Sequence, residues 1–140
     1  MAYRHSVASR ELTTEDVVTV AEFRSALRKF LRRSELVADS CGLTPQRYLL
    51  LLMIKGAPDG SECSTVTELV DRLELAQSTV TELVKRAENN GLVYREGSDR
   101  DGRIARLRLT ESGERKLAQA FRAHEDERRR LFELLQQFDD

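Results

Sequence analysis

A chain of 140 residues can bury one sizeable core, and two separate domains would be cramped in it. Its 23 Lys and Arg against 24 Asp and Glu exclude a protein that holds nucleic acid by bulk positive charge, and predict modest nonspecific binding. No apolar run approaches the roughly 18 residues of a membrane span, the first residues lack the apolar core of a secretory signal, and Cys41 and Cys63 form no CxxC pair, so a cytoplasmic protein with no metal and no cofactor is expected.

In chain order, Thr13 and Asp16 mark the start of a helix whose apolar stripe is Val17, Val20, Phe23, Leu27, Phe30 and Leu31, running to about Cys41 and Gly42. Thr44 as cap and Pro45 at the first helical position open a second helix, and its dense run Tyr48 to Ile54 predicts burial. Lys55 to Gly60 ends it, and the residues just before Thr65 have room for a short strand.

From Thr65 to Thr110 the pattern is most informative. Thr65 and Glu68 have the spacing of a capping box, so a helix begins near Val66, with Val66, Leu69, Val70 and Leu73 as its stripe. Only Glu74, Leu75 and Ala76 separate it from a second stripe, Val80, Leu83, Val84 and Ala87, which is the turn length of a helix-turn-helix. Asn89, Asn90 and Gly91 stop that helix. Leu92, Val93 and Tyr94 then read as a strand, and Ala105, Leu107 and Leu109 alternate with Arg106 and Arg108 as its returning partner. The tip, Gly97 to Gly102, is polar and projects Arg100 and Arg103.

The order predicts a mainly α fold with a small β-hairpin wing (α+β), a winged helix-turn-helix whose first candidate partner is double-stranded DNA. Since Val80, Leu83 and Val84 must face inward, the groove-facing candidates are Gln77, Ser78, Thr79, Thr81, Glu82, Lys85 and Arg86, joined by Arg100 and Arg103 at the tip. Glu82 has two readings, acceptance from cytosine or a surface pair with Arg86, and the pair is favoured. From Lys85 to Arg108 there are seven basic residues against four acidic ones, a local surplus able to neutralise phosphates.

Beyond the hairpin, Thr110 caps a helix bearing Leu117, Phe121, Leu131, Leu134, Leu135 and Phe138, with the charge run Glu125 to Arg130 predicting a solvated or bent middle. A monomer offers little against which to bury both terminal stripes. Dimerisation answers this, and the alternative is that the helices fold back on their own domain.

The segment resembles the MarR family of bacterial transcription regulators. The residues that carry the likeness are Glu68 to Leu73, Ser78 to Val84, Asn90 to Val93, the wing Asp101-Gly102-Arg103, and Leu109 to Gly113. The resemblance implies a homodimer on a pseudo-palindromic site, most often a repressor, with residues 1–42 and 111–140 supplying dimerisation helices and 43–110 the DNA-binding domain. Two departures stand out: Glu74 where the family often has glycine, and Ala76 where it often has serine or threonine, so that the turn is expected to be looser or capped by Ser78. The wing carries Gly102 then Arg103 where two arginines are common, so only Arg103 inherits the tip role.

The resemblance also implies release by a small aromatic or anionic effector, for which Arg47, Tyr48 and Met53 are the candidate contacts, with a core role as the alternative. A thiol-based redox regulator is a further alternative. Against it, Cys41 falls later than the family's reactive position, and Cys63 lies beside Glu62 and not in the electropositive surroundings a reactive thiol needs. A winged-helix module that docks another protein is the remaining alternative. An enzyme is not expected: His5 and His124 lie far apart, and no nucleophile and base share a recognisable arrangement.

Overall fold

The computed structural model describes residues 11–97 and 105–137. Within them the chain runs α1 (Thr14–Ser40), α2 (Pro45–Lys55), β1 (Cys63–Ser64), α3 (Val66–Leu73), α4 (Gln77–Asn89), β2 (Val93–Glu96), β3 (Arg106–Leu109), α5 (Glu111–Ala123) and α6 (Glu125–Gln136). The strands form one antiparallel sheet in the order β1-β3-β2, with Val93 opposite Leu109, Glu96 opposite Arg106 and Cys63 opposite Arg108. This is the expected mainly helical fold with a small hairpin, and the short strand expected before Thr65 is present as β1.

The chain divides into two compact units, Ala38–Arg122 and the residues up to Val37 together with those from Ala123. In the first, Thr44 Oγ1 accepts the Arg47 N–H at 3.1 Å and Pro45 fills the first helical position, which fixes the start of α2. Leu50, Leu51 and Ile54 of α2, Leu69 of α3, Val80 and Val84 of α4 and Leu107 of β3 are all fully buried. Each such side chain contributes about 1.5–3 kcal/mol by leaving water, which outweighs any single surface interaction in the unit.

Polar ties set how these elements meet. Lys55, at the end of α2, donates to Glu114 of α5 at 2.9 Å and lies 3.2 Å from Glu62, and the Glu114 hydrogen bond holds its pKa above the ordinary 10.5. Lys116 Nζ donates to the Cys41 carbonyl at 3.1 Å. Thr110 sits where three elements join: its hydroxyl donates to the Gly91 carbonyl at 2.6 Å and accepts the Gly113 N–H at 3.0 Å, while its own N–H donates to the Leu92 carbonyl at 2.9 Å. Gly113 packs against this junction so closely that a Cβ there would run into the Leu92 carbonyl oxygen.

In the second unit the break between α5 and α6 falls at His124, ahead of the charge run. Residues 125–130 are helical and mostly exposed, so of the two expectations for that run the solvated one holds and the bend lies just before it. At the break the His124 side chain is 2% exposed and turns inward. Its Nε2–H donates to the Phe30 carbonyl at 3.1 Å, and its ring meets the Phe30 ring with centroids 4.3 Å apart. The Glu125–Arg130 run then spends its charge along the helix surface, in pairs such as Asp126 with Arg129 and Glu127 with Arg33.

Two outcomes are expected. Burial pushes the His124 pKa below its ordinary 6.5, reinforced by Arg128 and Arg33 and opposed by the Phe30 hydrogen bond and Glu127. The unfolded chain therefore binds a proton that the folded one resists, and stability is lost as pH falls through the unfolded value. The urea midpoint should drop from about pH 7.5 to about pH 5.5, and drop less in His124→Gln. Gly113→Ala should cost about 2 kcal/mol in urea unfolding, since the carbonyl it meets is backbone and cannot rotate away.

Candidate nucleic-acid interface

The helix pair α3 and α4 is placed by its caps. Thr65 Oγ1 accepts the Glu68 N–H at 3.1 Å while Glu68 Oε1 accepts the Thr65 N–H at 2.8 Å, the full reciprocal box the spacing predicts. At the other end of α3, Glu74 adopts φ 54° and ψ 44°, and its N–H donates to the Val70 carbonyl. That left-handed conformation is the one glycine adopts without steric cost, and for a residue with a Cβ it costs roughly 1 kcal/mol. Ala76 then occupies the N-cap of α4 with no side-chain hydrogen bond. The cap is therefore Ala76 itself and not Ser78 as one expectation had it, because α4 already starts at Gln77, and the turn is short of one side-chain cap.

Behind α4, Val80, Val84 and Ala87 are fully buried, which turns the opposite face outward. Gln77, Ser78, Thr79, Thr81, Glu82, Lys85 and Arg86 are all exposed, so the seven side chains expected to face outward on this helix do so. Arg86 Nε lies 3.2 Å from Glu82 Oε1, the surface pair favoured from spacing. Asn90 and Gly91, the latter at φ 72°, stop the helix.

The hairpin carries its charge in pairs. Arg95 of β2 reaches back to Glu88 of α4 at 3.1 Å, and Arg108 of β3 meets Glu96 of β2 at 3.3 Å. With Glu82 on Arg86, three arginines of the basic stretch are already neutralised locally. Each pair is exposed and worth a few tenths of a kcal/mol, so a phosphate displaces the carboxylate at little cost. Arg100 and Arg103 lie outside the described residues.

Arg72 was not singled out by sequence reasoning. Its guanidinium donates to the Met53 carbonyl at 2.8 Å and the Gly56 carbonyl at 3.2 Å, tying α3 to the carbonyl end of α2. Its only sequence signal is a basic residue in the last turn of a short helix. The three α2 residues read as effector contacts part company: Tyr48 is 5% exposed within the core, while Arg47 and Met53 are half-buried. Both cysteines are buried free thiols, and Cys63 Sγ lies 3.4 Å from Ser61 Oγ. Among the described residues no group of acidic, histidine or cysteine side chains is arranged to hold a metal, and no helix is long and apolar enough to cross a membrane.

Two helices joined by a three-residue turn, with an antiparallel hairpin following the second, define a winged helix-turn-helix. The sequence profile of the MarR family matches residues 42–104. The structure of a MarR family protein from Bacillus stearothermophilus is 30% identical, covers 93% of this chain and 86% of its own, and superposes with a TM-score of 0.68. On these grounds the chain belongs to the MarR family. A mutant MarR from E. coli complexed with operator DNA shares the fold at a TM-score of 0.63 and 21% identity, over 86% of this chain and 84% of that one. The organic hydroperoxide resistance transcriptional regulator of Bacillus subtilis is 31% identical over 86 residues, 61% of this chain and 56% of that protein. The chain is accordingly a transcription regulator of this family and not an enzyme.

The missing cap gives a direct test of the turn. Ala76→Ser should raise stability by about 1 kcal/mol, seen as a higher urea midpoint at unchanged slope.

Proposed function

We propose that the protein is a sequence-specific, DNA-binding repressor that acts as a homodimer on a pseudo-palindromic operator. The observation that carries this reading is the split of α4: a fully buried stripe behind, and in front an exposed face of polar and basic side chains whose one acidic member, Glu82, is paired with Arg86. Gln77, with its donor and acceptor amide, suits adenine, and Ser78 and Thr79 suit base edges or phosphate from the first turn. Thr81, Lys85 and Arg86 extend the face, and Arg100 and Arg103 are proposed for the adjacent minor groove.

The homodimer is supported by apolar surface on the terminal helices. Val17, Val18, Val20, Leu31 and Leu36 of α1 and Phe132 and Leu135 of α6 are exposed, Phe132 by 56%. A second copy covering them would follow the proposed division into dimerisation segments, 1–42 and 111–140, around a DNA-binding domain, 43–110. Release by a small aromatic or anionic effector is part of the same proposal, met at Arg47 and Met53 with Tyr48 supporting them from the core. A cytoplasmic location fits all of these roles.

The test is selection from random-sequence duplexes, read at two salt concentrations. A pseudo-palindrome with half-sites about one helical turn apart, bound less tightly as salt rises, is expected. Failure to enrich any site, with weak binding even at low salt, would favour a winged module that docks another protein, a reading to which the near-neutral net charge of −1 lends some support. On the selected operator, Arg103→Ala should bind at least about tenfold more weakly while remaining dimeric, the scale of one lost charged contact.

A further inference from the structure

The outer face of α4 does not stand alone. Gln46, Ser78, Thr79, Glu82, Leu83 and Arg86 line a single cleft of about 350 Å³ between α2 and α4. Five of these belong to α4, and Gln46 is an exposed residue in the first turn of α2.

Helical geometry says which part of the DNA this cleft would meet. Successive residues of a helix are turned by about 100°. Opposite the buried Val80, Val84 and Ala87, the centre of the outer face is therefore Ser78, Glu82 and Lys85. Thr79, Leu83 and Arg86 form the edge toward α2, and Gln77 and Thr81 form the other edge. When the centre of the face looks at base edges on the groove floor, the edge toward α2 looks at the groove wall, which is a sugar–phosphate strand. Gln46 stands beyond that edge, across the cleft from it.

We infer that Gln46 is a phosphate-positioning residue of the DNA interface, a member of the site contributed by α2; this inference rests on the reading of the protein as a DNA-binding regulator. The chemistry fits a backbone contact. Within the cleft Arg86 is paired with Glu82 at 3.2 Å, an exposed pair whose carboxylate a phosphate can replace, and neutral donors around it would complete the anion's hydrogen bonds. The Gln46 amide and the hydroxyls of Ser78 and Thr79 are such donors, approaching from two helices. Phosphate contacts fix register without reading sequence, so Gln46 sets how tightly the protein binds and not which bases it prefers.

The experiment measures affinity for the selected operator, and repeats the site selection, with Gln46→Glu and Gln46→Lys. Gln46→Glu, which places a carboxylate beside the phosphate, should weaken binding by about tenfold or more, and Gln46→Lys should bind at least as tightly as the native protein at low salt, with a salt slope steeper by about 0.9. Both variants should select the same bases as the native protein. Native affinity and native salt slope in both variants would overturn the assignment, and so would altered base preference, which would make Gln46 a base reader. If the native protein selects no site at all, the DNA-binding reading and this inference fall together. If it selects a site and the variants are silent, only Gln46 is removed from the interface.

Discussion

The hydroxyl of Thr110 is the point on which the geometry of the helix-turn-helix and its hairpin depends. A single oxygen accepts the Gly113 N–H and donates to the Gly91 carbonyl, so the stop of α4, the return of β3 and the start of α5 share one atom. The Thr110 N–H closes the ring on the Leu92 carbonyl. Because the hairpin begins two residues after this junction on one side and ends one residue before it on the other, the angle between α4 and the wing is set here. Hydrophobic burial makes the unit stable, but it is non-directional and would not fix that angle. Hydrogen bonds, each worth about 1 kcal/mol net, supply the direction.

The elements that carry function were the most legible in the sequence, for a physical reason. Val66 to Leu73 and Val80 to Ala87 are short amphipathic helices whose stripes repeat locally, and the Thr65 and Glu68 box acts over three residues. Everything needed to recognise them lies within a few positions. What escaped sequence reasoning acts at long range: Arg72 reaches carbonyls 16 and 19 residues away, Lys55 meets Glu114 59 residues on, and His124 bonds to Phe30 94 residues back. No periodicity reports such contacts. The position of the break between α5 and α6 was illegible for the same reason, since a run of charge reads locally as solvated or bent, while the buried imidazole that sits at the break finds its partner on another helix.

The ion pairs around α4 and the hairpin bear on how a nearly neutral chain would read DNA under the proposed function. Arg86, Arg95 and Arg108 are each held by a glutamate at the surface, so these three present little unbalanced charge in the free protein. On the proposed operator, binding would be an exchange of carboxylate for phosphate rather than a collapse of positive surface onto negative duplex. Such an exchange is nearly even when the geometry is poor and favourable when several arginines find phosphates together. Discrimination would then come from the number of partners that match at once, which suits a regulator that must ignore most of a genome.

Arg72 grips α2 through carbonyl oxygens, those of Met53 and Gly56, and not through side chains. Backbone atoms are common to all twenty residue types. The joint between α2 and α3 therefore places almost no demand on which residues α2 displays around its outer surface. A helix anchored in this way can exchange surface residues over evolutionary time, or at an engineer's bench, while α3 and α4 keep their mounting.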